Sequence, residues 1–201
     1  MIRVLIAEDQ TLVRGALRAL LELEDDLTVV AEVGRGDEVV TAAREHRPDV
    51  ALLDIEMPGG DGIDAARALA MAVPDCRAVI LTTFGRPGFL RRAMEVGAAG
   101  FLVKDAPVAE LARGIRAVMA GERVIDRQLA AAALALGATP LSTREADVLR
   151  ASADGATVAG IAARLFLSEG TVRNYLSSAI GKTGAHTRVE AARVAEEKGW
   201  L

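Results

Sequence analysis

Apolar positions along the first 120 residues follow two alternating rhythms. Short runs such as RVLIA (3–7), LTVVAEV (27–33), VALLD (50–54), AVILTT (78–83) and GFLVK (100–104) read as strands. Between them, apolar residues return every three or four positions over 10–23, 35–46, 62–72, 86–96 and 107–120, the spacing of amphipathic helices. Strands alternating with helices predict a parallel sheet covered on both faces. From residue 141 the rhythm is helical only, over 143–153, 157–166, 169–182 and 187–198. Turns are expected at Asp154–Gly155, Leu167–Ser168 and Thr183–Gly184.

Five strand–helix units in 120 residues match a flavodoxin-like doubly wound α/β sheet, five-stranded and ordered 2-1-3-4-5. The all-α remainder forms a four-helix unit. Its second and third helices meet across the short turn FLSE, the spacing of a helix-turn-helix. The chain therefore reads as an α/β domain over 1–121, a linker over 122–140 with a short Ala/Leu-rich helix, and a helical domain over 141–201.

Composition narrows the class. The chain has 201 residues, 51% of them hydrophobic and 3% aromatic, so its core is built of Ala, Leu and Val. No uncharged apolar run approaches the ~20 residues of a membrane span. The opening MIRVLIAEDQ meets acids too early for a signal peptide, so a cytoplasmic protein with no membrane association is expected. The single cysteine, Cys76, forbids an intrachain disulfide, and His46 and His186 give no zinc pattern. The net charge of −4 is uneven: residues 1–121 carry 14 Lys+Arg against 19 Asp+Glu, and residues 141–201 carry 8 against 7. The helical part is not strongly basic, so a nucleic-acid reading rests on where its charges lie rather than on their sum.

The chemistry sits at strand ends. Ligands of a doubly wound sheet bind beyond the carboxyl ends of the strands. There the first strand ends in Glu8 and Asp9, the third in Asp54, the fourth in Thr82 and the fifth in Lys104. Pro58, Gly59, Gly60 and Gly62 turn the chain away directly after Asp54. Strands one and three are neighbours in the expected order, so three carboxylates converge. Oxygen-only ligation of that kind suits Mg²⁺. A metal, a hydroxyl and an ammonium around one carboxylate equip it to accept a phosphoryl group. Each residue has an ordinary use as well: Glu8 and Asp9 as helix-capping acids, Lys104 as a surface lysine, Thr82 as a strand former. Chance would have to place all of them at the same sheet edge.

In the helical part, the helix beginning near Glu169 presents Thr171, Arg173, Asn174 and Ser177 near its N-terminal end, which in a helix-turn-helix enters the major groove. Arg reads guanine and Asn reads adenine by paired hydrogen bonds, so Arg173 and Asn174 are the base-contact candidates. Thr171 and Lys182 suit phosphates. Ser177 fits a solvated face equally well. Val172, Leu176 and Ile180 form the buried stripe.

These motifs carry a resemblance. The acid pair ED, the phrase LLDIEMPGGDG, LTT and GFLVKD resemble a response-regulator receiver domain. LSTREADVL, IAARLFLSEGTVRNYLSSAIGKTGA and RVEAARVA resemble a LuxR-type helix-turn-helix. Together they look like a two-component regulator of the NarL/FixJ family, with IEMPG, TVRNYLS and EEKGWL similar to its DesR-like subgroup. The resemblance implies Asp54 as phosphoacceptor and metal ligand, with Asp9 binding Mg²⁺ directly, Glu8 largely through water, and the Glu56 backbone carbonyl completing the protein ligands. It implies Lys104 on the phosphoryl oxygens, with Thr82 and Phe101 as a coupled switch; an ordinary strand role competes for Phe101. It further implies a sensor histidine kinase, double-stranded DNA and RNA polymerase as partners, a phosphorylation-dependent homodimer, and no multiple-turnover enzyme activity. The apolar arcs Leu12, Ala19, Leu23 and Val108, Leu111, Ile115, Met119 are candidates for that dimer surface or for wider core contact.

The chain departs from the family pattern at Gly160, where a polar helix former is usual, and at Thr183, where Leu is common. Two other readings remain. A haloacid-dehalogenase-type phosphohydrolase uses a similar constellation but places its nucleophile in a D-x-D motif on the first strand. A phosphorylation-independent regulator would use the first domain only as a dimerisation scaffold.

Overall fold

The computed structural model describes residues 1–82, 87–104, 108–126, 129–131, 139–153 and 155–201, with the side chains of Pro87 and Val108 excluded. The chain divides into two compact units, the first of residues 1–85 and 90–130 and the second of residues 86–89 and 131–201.

The first unit is a parallel sheet ordered β2-β1-β3-β4-β5-β6, built from β1 (Ile2–Ala7), β2 (Leu27–Val33), β3 (Val50–Asp54), β4 (Arg77–Thr82), β5 (Gly100–Val103) and β6 (Val124–Ile125). The helices α1 (Thr11–Leu21), α2 (Val39–His46), α3 (Gly62–Ala72), α4 (Pro87–Glu95) and α5 (Val108–Met119) join its strands, with a 3₁₀ turn at Gly36–Glu38. All five residues of β3 are buried, as expected of a central strand of a parallel sheet. Pleating sends alternate residues to opposite faces. Val4, Ile6, Val50, Leu52, Val79 and Leu81 pack with Leu111, Ile115 and Val118 of α5 and with Leu21 at the end of α1. Leu5, Ala51, Leu53 and Ile80, on the opposite pleat, are equally buried.

The sheet has six strands rather than the expected five. After α5 the chain reverses at Gly121 (φ 90°), and Val124 and Ile125 pair in parallel with Gly100 and Phe101. The Val124 N–H donates to the Ala99 carbonyl and the Asp126 N–H to the Phe101 carbonyl. Two residues are too few to show an alternating pattern, so the sheet extends unannounced into the stretch expected as linker. The helix expected in that stretch lies largely outside the described residues, as do Thr83, Asp105 and Asp154. Among the described residues, no helix is long and apolar enough to cross a membrane.

The two apolar arcs divide differently from one another. Leu111 and Ile115 are buried in the core and Met119 is half-buried, so the α5 arc mostly serves packing. Leu12 and Leu23 are exposed, as is Ala19. The side chain of Val108 lies outside the described residues.

The second unit packs α6 (Thr143–Arg150), α7 (Val158–Leu165), α8 (Glu169–Thr183) and α9 (Arg188–Glu197) around Val148, Leu149, Ile161, Val172, Leu176, Ala179, Ala191 and Ala195. Each helix starts on a Ser or Thr: the side chains of Ser142, Thr157, Ser168 and Thr187 accept from the N–H three residues on. These caps satisfy N–H groups that have no partner inside the helix. Of the expected stripe, Val172 and Leu176 are buried and Ile180 packs partly buried against the cluster. Gly160 is exposed, its N–H held by the Thr157 hydroxyl, and the Thr183 hydroxyl donates back to the Ile180 carbonyl.

Candidate functional site: an acidic pocket and a DNA-reading helix

The order of the sheet places β1 between β2 and β3, so the ends of β1 and β3 lie side by side at the crossover point. Carboxylate oxygens of Glu8, Asp9 and Asp54 all come within 4.8 Å of one another. Glu8 and Asp54 are buried, whereas Asp9 is exposed and forms the open side of the pocket. Lys104 closes the other side. Its ammonium lies 2.5 Å from Glu8 Oε2 and 2.9 Å from Asp54 Oδ1, with the side chain 7% exposed.

That arrangement sets the electrostatics. Burial pushes the Glu8 carboxyl above its ordinary range; the Lys104 hydrogen bond opposes the rise and the Asp54 charge adds to it. For Lys104, burial favours the neutral amine, but the hydrogen bonds and charges of Asp54 and Glu8 outweigh it and raise the ammonium's pKa. Lysine stands in the pocket as a fixed cation between two buried acids.

Several backbone contacts hold Asp54 in place. The Ile55 N–H donates to Asp54 Oδ1 at 2.8 Å, and the Gly62 N–H donates to the Ile55 carbonyl at 3.0 Å. A Cβ at Gly62 would fall 1.9 Å from the Asp54 carbonyl oxygen, so the chain leaves the strand by a path open only to glycine. Asp61 caps α3 through the Asp64 N–H and pairs with Arg92 of α4 at 2.9 Å.

Thr82 is buried at the end of β4, one position beyond the Leu81 that pairs with Asp54, and its carbonyl accepts from the Lys104 N–H at 2.7 Å. Phe101 is completely buried, opposite Ile80. Glu56 sits exposed on the loop two residues after Asp54. Sequence reading missed Arg14 of α1, whose guanidinium donates to the Glu8 carbonyl. An arginine on an amphipathic helix carries no signal for such a contact.

The donor set is one that Mg²⁺ takes: hard oxygens, carboxylates, and an open exposed edge for water.

In the second unit, Arg173, Asn174 and Ser177 are exposed along one side of α8 and Thr171 is half-exposed. Arg173 pairs with Glu169 one turn back at 2.7 Å, and the Thr171 and Ser168 hydroxyls bond each other at 2.8 Å. Lys182 is placed differently from its neighbours. Its ammonium lies 2.7 Å from Oε2 of the buried Glu145, whose Oε1 accepts from Ser178 and whose Oε2 also accepts from the Ser142 N–H. Lys182 is 39% exposed, so it is anchored on one side and open on the other. The phrase LSTRE announces the capping box of Ser142 and Glu145, but not the arrival of Ser178 and Lys182 on the same carboxylate.

Two family patterns match the chain: the response regulator receiver domain over residues 4–116, and the luxR family of bacterial regulatory proteins over residues 139–195. The chain belongs to the LuxR-type transcriptional response regulators. Over the full length of both chains, this response regulator is 44% identical to the transcriptional regulatory protein DesR of Bacillus subtilis and 44% identical to YvfU of the same organism, an uncharacterised transcriptional regulatory protein. It is similar in structure to the response regulator ChrA of a heme-sensing two-component system, at 35% identity and TM-score 0.59, covering all of this chain and 98% of that one. An RcsB response regulator–DNA complex matches at 25% identity and TM-score 0.69, covering 98% of each chain. A response regulator of this family works by binding DNA and is not an enzyme, which removes the phosphohydrolase alternative.

Proposed function

We propose that Asp54 is the phosphoacceptor of this response regulator and that its phosphorylation by a sensor histidine kinase drives dimerisation and DNA binding. The observation that carries the reading is the Lys104 ammonium held between Glu8 and Asp54 in a pocket of three carboxylates. Asp54 Oδ1 takes hydrogen bonds from the Ile55 N–H and Lys104, which aims Oδ2 at an incoming phosphorus. A phosphohistidine donor supplies the group: the Oδ2–P bond forms, the P–N bond breaks, and the imidazole leaves with the electron pair. Asp9 and Asp54 would hold Mg²⁺ directly, Glu8 largely through water, and the Glu56 backbone carbonyl would complete the set. Such a metal would supply charge neutralisation on the phosphoryl oxygens.

A phosphoryl group adds roughly −1.5 to −2 charge to a buried site, and Lys104 pairs with it. Thr82, beside Asp54, bonds another phosphoryl oxygen. Phe101, packed inside, is the aromatic coupled to that movement. The exposed Leu12 and Leu23 on α1 and in the turn after it supply part of the dimer surface. In the second unit Arg173 and Asn174 read bases, and Thr171, Ser177 and Lys182 contact the backbone or groove edge. Acting in the cytoplasm, the bound dimer alters access of RNA polymerase to the promoter.

Acetyl phosphate with Mg²⁺ is the test. One phosphoryl group should be added by intact mass, with none in Asp54→Ala or after chelation. Sedimentation should shift from monomer to dimer, and affinity for a two-half-site duplex should fall when the spacing changes by about five base pairs, half a turn. Labelling of Asp54→Ala to the same extent would overturn the acceptor. Labelling that leaves mass and affinity unchanged would favour the scaffold reading.

A further inference from the structure

Phe166 is in a conformation and a position that folding alone does not explain. It is 96% exposed, more than any other large apolar side chain among the described residues. It also adopts φ 54°, ψ 46°, the left-handed region where glycine or asparagine is at home and a bulky side chain is disfavoured. The residue ends α7: its N–H and that of Leu167 both reach the Ala162 carbonyl, a helix stop that ordinarily takes glycine. An aromatic ring there strains the backbone and leaves apolar surface in water. Nor does it serve as the apolar residue that staples the start of α8. Leu167, just before the Ser168 cap, has that place and packs on the core that holds Val172.

What surrounds the ring points to its occupant. Phe166 stands two residues before the cap of α8, in the turn of the helix-turn-helix. Side chains on a helix tilt towards its N-terminus, so Thr171, Arg173 and Asn174 lean towards the end where Phe166 stands. That end is the one a helix-turn-helix inserts into the major groove. Phenylalanine makes apolar contact with the thymine methyl group, which the groove displays beside the polar base edges.

We infer that Phe166 is an apolar DNA contact, packing on a thymine methyl or adjacent sugar beside the bases read by Arg173 and Asn174. The inference rests on the DNA-reading assignment of α8. Because the contact releases no counterion, it contributes affinity without salt dependence, unlike a lysine on a phosphate.

The test uses the full-length phosphorylated protein and a duplex that this protein selects from a randomised library. Phe166→Gly and Phe166→Asn both suit the left-handed backbone, so the unit stays folded, and Trp200 fluorescence verifies that. Both variants should bind the selected duplex about tenfold more weakly, with an unchanged dependence on salt. Phe166→Leu should retain part of the affinity. Wild-type affinity in the glycine and asparagine variants would overturn the inference, and so would wild-type affinity with transcription lost, which would put the ring on RNA polymerase instead. Arg173→Ala separates the two levels. If it loses affinity while Phe166→Gly does not, only the Phe166 contact fails; if neither loses affinity, the DNA-reading assignment of α8 fails.

Discussion

Glu145 is a buried carboxylate that ties α6 to α8 through Ser178 and Lys182. Its side chain is 6% exposed. Burial by itself would raise its pKa, but hydrogen bonds from Lys182, Ser178 and Ser142 overcome that and hold the carboxyl at about 2, against 4.5 for an ordinary glutamate. A carboxylate whose folded pKa lies below its unfolded value stabilises the fold at neutral pH. That contribution is complete above the unfolded pKa and is lost as pH falls through the folded one. At 1.36 kcal/mol per pKa unit the depression corresponds to about 3 kcal/mol, lost between about pH 4.5 and pH 2. Asp26 and Asp37 are also held below the ordinary range, by Arg116 and Arg35, but both belong to the first unit. Trp200, the chain's one tryptophan, packs against the core of the second unit and reports its unfolding separately. Urea titrations followed by Trp200 fluorescence should therefore show the midpoint falling steeply between pH 4.5 and 2. Glu145→Gln should lower the midpoint at pH 7 and abolish most of that slope, because glutamine keeps some hydrogen bonds but neither the charge nor the titration. Equal slopes in wild type and Glu145→Gln would refute the assignment of the stability to this carboxylate.

Four further outcomes follow. Gly62→Ala places a methyl group 1.9 Å from the Asp54 carbonyl oxygen, so the loop must shift; the first unit should lose about 1–3 kcal/mol by thermal melting, and phosphorylation by acetyl phosphate should slow. Gly160→Ala meets only the Thr157 hydroxyl at 3.3 Å, and it should stabilise the second unit by up to about 1 kcal/mol, seen as a higher urea midpoint by Trp200 fluorescence; a lower midpoint would mean the cap cannot accommodate the methyl group. Arg173→Ala should cost roughly 1–3 kcal/mol of operator binding and relax the preference at one base pair. Lys182→Ala should weaken all duplexes alike, reduce the salt slope by about one and also destabilise the unit through the loss of the Glu145 pair; a sequence-selective loss would reverse the sorting of these two residues.

Sequence alone determined those features whose cause lies within a few residues. Periods of two and 3.6 announced β1 to β5 and their helices, because burial of one face repeats with the backbone's own geometry. The caps Ser142, Thr157, Ser168 and Thr187, which the sequence reading did not single out, are equally local, each accepting from an N–H three residues away. The pocket residues were legible for a topological reason: parallel strands all end at one edge, so polar residues at strand ends must meet there.

What tertiary structure decided involves partners far apart in the chain. Lys104 could be assigned to the pocket, but only packing shows its ammonium bridging Glu8, 96 positions away, and Asp54. Glu145 gathers Ser178 and Lys182 across 33 and 37 positions because α6 lies against α8, which no local pattern encodes. The division of the apolar arcs, with Leu111 and Ile115 buried in the core cluster and Leu12 exposed, follows from how each helix seats on the sheet, which the apolar spacing alone does not encode. Likewise β6 owes its existence to the open edge of β5: two residues have too little pattern of their own to form a strand, and a waiting row of backbone donors and acceptors makes one of them.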